Sequence, residues 1–166
     1  MSDARNFLAY RRAVADMGRL RVLRYTMFPP GALRQPLFEV AVTQCRDSFL
    51  VETTCVHRYP GPYQLGVICA RPIGNPVSPT GLVEIVATFE DAAGRLVLKI
   101  ERSISFAEHV WWGGPSRNGF GLAWYAVPAE VPIQTQVRCK VQVLDTSGAL
   151  AHYRPMKLYS RYFLVK

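Results

Sequence analysis

Residues 135–143 read TQVRCKVQV, and their alternation has no fault. Val137, Cys139, Val141 and Val143 fall on one side; Gln136, Arg138, Lys140 and Gln142 fall on the other. Successive side chains of a strand point to opposite faces, so this stretch is a strand with one dry face and one wet face. A dry face must be covered by a second apolar layer, and the rest of the chain has to supply it. The wet face is basic through Arg138 and Lys140, with Arg95 and Lys99 expected beside them. It is either a solvated face or a surface for an acidic partner.

Working outward, residues 37–43 place Phe38, Val40 and Val42 on one face. Residues 49–56 follow a tight turn at Arg46, Asp47 and Ser48 and carry Thr53 and Thr54, both good strand residues. Residues 63–70 put Tyr63, Leu65, Val67 and Cys69 on one side. Residues 82–89 and 95–102 form the clearest hairpin, joined by a turn ending at Gly94. Its expected inward residues are Val83, Ile85, Ala87 and Phe89, then Leu96, Leu98 and Ile100. Residues 120–127 line one face with Phe120, Leu122, Trp124 and Ala126, while Gly119 and Gly121 signal a bulge or close packing. Asp145 to Gly148 turns the chain, and residues 157–165 close it with Tyr159, Tyr162 and Phe163.

The segment 126–132 (AVPAEVP), followed by a long alternating strand and an Asp-x-x-Gly turn, is similar to what many immunoglobulin-like modules show. That resemblance is architectural and spans about 30 residues. The expected fold is therefore all-β: an antiparallel immunoglobulin-like sandwich of 8–10 strands over residues 31–166. Residues 1–30 are expected to form a short helix (3–17), capped by Ser2 or Asp3 and closed at Gly18, and then an extended basic arm.

Hydrophobic residues make up 49% of the 166-residue chain and charged residues 19%, a balance that excludes wholesale disorder. The formal net charge is +8, and sixteen of the twenty cations are arginines. Six of those sixteen, among them Arg11, Arg12, Arg19 and Arg21, fall in the first 24 residues, which marks the arm as a candidate contact with a protein or with nucleic-acid phosphates. The arm lacks the dense basic run typical of nucleic-acid tails. No apolar run is long enough to span a membrane as a helix. The amino terminus shows no signal core, so the chain is expected to be cytoplasmic, or a mature exported form whose leader has been removed.

The cysteines Cys45, Cys55, Cys69 and Cys139 contain no CxxC pair, which argues against a zinc site. Cys69 and Cys139 each sit on the apolar face of a strand, either as buried thiols or as an inter-sheet disulfide. Cys45 and Cys55 flank a turn and are candidate cross-strand neighbours. His57, His109 and His152 are far apart in sequence and are expected on the surface or in turns; a shared metal or acid–base site is the alternative. No catalytic motif is present: there is no GxSxG, no Walker loop, no HExxH and no GxGxxG opening a helix. No cofactor and no catalytic residue are expected.

The strongest candidate site is 108–118 (EHVWWGGPSRN), read as an irregular loop. Adjacent Trp111 and Trp112 cannot both face one core from an extended segment, and Arg117 and His109 flank them. Aromatics with a nearby arginine have the composition of a protein-contact hot spot, or of a sugar-stacking surface. The alternative is that both tryptophans cap one end of the core. The leading expectation is a non-enzymatic protein-interaction module, its partner a protein, acidic or another copy of the chain. The alternatives are a structural subunit of a viral, phage-like or other symmetric assembly with a basic arm, and a carbohydrate- or small-ligand-binding domain.

Overall fold

Nine strands form among the described residues of the computed structural model: β1 (Pro36–Val42), β2 (Ser48–Val56), β3 (Pro62–Cys69), β4 (Leu82–Glu90), β5 (Leu96–Ser105), β6 (Trp111–Gly114), β7 (Arg117–Ala126), β8 (Gln136–Asp145) and β9 (Met156–Tyr162). The structure describes residues 31–33, 35–42, 48–59, 62–69, 82–105, 111–114, 117–127, 131, 133–146, 148, 150 and 155–162; for 111–114, 117, 118 and 120 it describes the backbone. The expected helix at 3–17, the basic arm and Cys45 lie outside these residues.

β8 shows the decisive pattern without exception, every second residue buried from Val137 to Asp145. It lies between β2 and β4, with Val141 opposite Val51 on one side and Ala87 on the other. The four-stranded sheet has the order β2-β8-β4-β5, and the five-stranded sheet the order β1-β9-β3-β7-β6, with every pairing antiparallel. Val83, Ile85, Ala87, Phe89 and the β8 valines from the first sheet share one apolar core with Leu65, Val67, Leu122 and Leu158 from the second. This is a two-sheet sandwich, and its dry faces are held together by burial of large aliphatic and aromatic side chains.

The strand order departs from the immunoglobulin arrangement. There, sequence neighbours pair within a sheet at the start of the domain. Here β1 pairs with β9 and β2 with β8, while only β4–β5 and β6–β7 are sequence-adjacent partners. Consecutive strands mostly cross between sheets, which is the double Greek key of a jelly roll. The alternation of each strand is the same in both folds, so the sequence pattern alone does not separate them.

The dry face expected at Phe120, Leu122, Trp124 and Ala126 is broken by a register slip at Leu65–Gly66, so that Ala123 and Tyr125 join Leu122 in the core while Trp124 packs beside Gly121. Two further local expectations shift. Leu96 was expected inside and is exposed, because the register slips between Phe89 and Glu90 and sets Leu96 opposite the outward Glu90. The remainder of that hairpin is as expected. Gly94 takes φ +77°, and the Asp91 carboxylate accepts the Ala93 and Arg95 amides at 2.9 and 3.0 Å. The second shift concerns 108–118, which is not wholly a loop: residues 111–114 form the short strand β6 at the edge of the five-stranded sheet.

Because Leu158 is fully buried in the shared core and Leu144 is exposed on the wet side of β8, the two leucines differ sharply in what they stabilise. Leu158→Ala is expected to lower unfolding free energy by about 2–5 kcal/mol and Leu144→Ala by less than about 0.5 kcal/mol, measured by urea denaturation.

Candidate functional site

The sequence-predicted residues separate into two groups. Arg11, Arg12, Arg19, Arg21 and His109 lie outside the described residues, as does His152. Trp111, Trp112 and Arg117 are brought into one hairpin: Trp111 pairs with Phe120, Trp112 with Gly119, and Gly114 with Arg117. The tryptophans therefore stand at adjacent positions of an edge strand.

Cys69 and Cys139 are free thiols, not a disulfide. They belong to opposite sheets and to opposite ends of the sandwich. Cys139 pairs with Phe89, whose ring packs 5.1 Å from Tyr125, the register partner of Tyr63. Cys69 lies six residues further along β3, about 20 Å away at the rise of a strand. A disulfide requires Cα atoms within about 7 Å. Burial pushes the Cys55 thiol up to about 12 and the Cys69 thiol up to about 11. It raises that of Cys139 as well, with Cys55 nearby adding to the effect.

His57 is the largest departure from expectation. Although expected in a surface turn, it is only 3% exposed. It continues the period-2 dry face of β2 beyond the strand's end, after Phe49, Val51 and Cys55. Its Nε2 lies 3.1 Å from the Tyr125 hydroxyl, which lies 2.9 Å from Ser160 Oγ. Tyr63, Phe89 and Tyr125 surround the imidazole with ring centroids 4.9, 5.6 and 5.8 Å away. This thread joins the end of β2, in one sheet, to β7 and β9 in the other.

The two outer faces differ. On the four-stranded sheet, Glu52 and Lys140 form an exposed ion pair at 3.1 Å. One end of that face is apolar. Leu50 is 53% exposed, Leu82 54% and Leu144 37%. Leu50 is paired with Gln142, and Leu144 with Glu84, so the three leucines form a diagonal row across β2, β8 and β4. Beside it, a groove of about 480 Å³ runs between the edge strands β1 and β2, lined by Val40, Val42, Phe49, Val51 and Glu52. On the five-stranded sheet the outward Tyr159 is 1% exposed, and its hydroxyl donates to Gln64 Oε1 at 3.1 Å. A Cβ on Gly121 would meet Gln64 Nε2 at 2.6 Å and the Trp124 ring at 3.2 Å, so a larger residue there would push the Gln64 amide out of this outer cluster.

Among the described residues no group of three or more His, Cys, Asp or Glu side chains is placed to hold a metal, and no helix is long and apolar enough to cross a membrane.

No protein-family model matches the chain, and no curated protein matches it in sequence. Solved structures resemble the chain only at low similarity. A protein from Sulfurospirillum deleyianum is 5% identical with a TM-score of 0.44, covering 75% of this chain and 95% of that one. A carbohydrate-binding module solved with β-1,4-galactotriose is 12% identical with a TM-score of 0.25, covering 76% and 66%. The structure of infectious bursal disease virus, Gx strain, is 10% identical with a TM-score of 0.29; 75% of this chain covers 28% of that one.

The buried thiols lead to a direct measurement. Cys55, Cys69 and Cys139 should resist maleimide in the native protein and react fully in denaturant, as followed by intact mass and peptide mapping. Rapid native labelling of any of the three would contradict their burial.

Proposed function

We propose that the chain is a non-enzymatic β-sandwich interaction module, and that its contact surface is the leucine-bearing end of the four-stranded sheet. The observation that supports this is the row Leu50–Leu144–Leu82, with all three side chains exposed side by side at one end of that sheet face. Isolated exposed leucines are common, but a contiguous row beside a groove of mixed polar and apolar lining is the composition of a protein contact. The partner in this reading is a protein, and the simplest is a second copy of the chain, since one patch meeting itself about a two-fold closes a dimer. The hairpin bearing Trp111, Trp112 and Arg117, with His109 just before it, is a second candidate contact, at the far edge of the other sheet.

A second reading, a structural subunit of a symmetric assembly, is favoured by the pairing of β1 with β9 and β2 with β8 together with six arginines in the first 24 residues. Jelly rolls of this order serve capsids and lectins alike, so the fold supplies a warrant by analogy. In this reading the arm reaches a neighbour or packaged nucleic acid.

Light scattering over a concentration series tests both. The wild-type chain is expected to associate as concentration rises, and Leu50→Lys with Leu144→Lys to weaken association at least about tenfold with little change in melting temperature. A closed dimer supports the first reading, and a large symmetric particle supports the second. A wild-type chain that stays monomeric throughout overturns self-association.

A further inference from the structure

The His57 thread has a feature that its packing role does not use. The imidazole Nδ1 is buried and makes no hydrogen bond. A neutral imidazole tolerates this, because the tautomer protonated at Nε2 leaves only a bare acceptor at Nδ1. An imidazolium carries a proton on both nitrogens and needs two acceptors, and the site supplies one, the Tyr125 hydroxyl.

Among the described residues nothing charged compensates. The groups that pack around the His57–Tyr125 pair are Cys55 of β2, Tyr63 of β3, Phe89 of β4, Cys139 of β8 and Ser160 of β9. Arg58, the next residue in the chain, is exposed and donates to Gln35 Oε1 at 3.1 Å. Among the described residues, none of these neighbours is a carboxylate.

The segment also lies at an end of the β2–β8 ladder. His57 lies just past the last β2–β8 pair, Val56 with Gln136. Beyond that pair its carbonyl accepts the Gln134 amide at 2.8 Å, and the Tyr59 amide donates to the Tyr63 hydroxyl at 3.2 Å. The Tyr63 hydroxyl donates in turn to the Tyr59 carbonyl at 2.6 Å. These contacts stand at the end of the ladder, where local opening costs less than global unfolding.

We propose that His57 is an acid-operated latch between the two sheets. Its protonation releases the end of β2 and residues 57–59 from Tyr125 and Ser160, while β4 and β8 stay folded.

The sign follows from burial, which pulls the imidazole from 6.5 down to about 4 in the closed state. An opened, hydrated imidazole returns to its ordinary value, so between these values the open form binds more protons. Closure is fully favoured above the ordinary histidine range and is lost as pH falls towards 4. From neutral pH to about 4.5, the open-to-closed ratio rises by roughly 50-fold.

Hydrogen exchange at neutral and acid pH, corrected for intrinsic rates, reads this directly. The Gln134 and Tyr59 amides are expected to lose protection by tens of fold at acid pH, while β4 and β8 amides keep theirs. His57→Phe and His57→Gln remove the titration, and either variant that folds should retain protection at both pH values. If neither folds, the contrast within the wild type between these two amides and β4 and β8 decides. Three outcomes would overturn the latch: no acid-induced loss at Gln134 and Tyr59, an equal loss in β4 and β8, or the same acid response in a folded His57 variant.

Discussion

The dry side of β8 has to be covered, and that requirement generates the rest of the architecture. Val137, Cys139, Val141 and Val143 present a continuous apolar rib, and β2 and β4 widen it on both sides. Each fully buried side chain of this kind contributes about 1.5–3 kcal/mol relative to exposure, so a single uncovered sheet would be unstable. Leu65, Val67, Leu122 and Leu158 of the other sheet complete the layer. The jelly-roll crossing makes this cover non-local in sequence. β1 meets β9 and β2 meets β8, so both ends of the domain must be in place before either sheet closes. Such long-range pairing is slow to form, because loop-closure entropy is lost before the contacts that repay it appear.

The two outer faces follow different rules. The four-stranded sheet alternates cleanly, with Glu52 and Lys140 paired in water. The five-stranded sheet is closed on its outer side around Gln64, Gly66 and Tyr159, and Gly121 permits Gln64 to lie flat against the strand. A slip in register between Leu65 and Gly66 accompanies this close approach and is the kind of bulge that glycine-rich strands accommodate. A polar contact surface is therefore not available at that cluster, whose side chains are committed to each other. Among the described residues, the exposed leucines Leu50, Leu82, Leu96 and Leu144 stand on the opposite sheet from this sealed cluster.

Strands were legible where one face is dry and the other wet. β8, β2 and the β4–β5 hairpin are readable from alternation and from the turn at Gly94, and Gly121 marked close packing. Strand order was not legible, since a valine row specifies that it must be covered but not by which partner. Nor was β6 legible, because Gly113, Gly114 and Pro115 read as loop residues although residues 111–114 pair with β7. The candidate contact was only partly readable. Leu50, Leu82 and Leu144 are separated by more than thirty residues each, and only the register aligns them.

His57 shows what the turn-rich reading of its neighbourhood concealed. Tyr59, Pro60, Gly61 and Pro62 signal a break, yet the parity of Phe49, Val51 and Cys55 runs on through position 57. A buried imidazole at that point is not the cheapest filling, since an apolar ring of similar size would leave no unpaired nitrogen. What it provides is direction. The bonds to Tyr125 and on to Ser160 are satisfied at one relative placement of the two sheets, whereas leucine against valine tolerates sliding. Tyr63 adds to this fix by donating to the Tyr59 carbonyl at 2.6 Å, which pins the exit of β2 to the start of β3. The core thus gains its cohesion from apolar burial and, at this end, its alignment from a short polar thread whose charge state is set by its own desolvation.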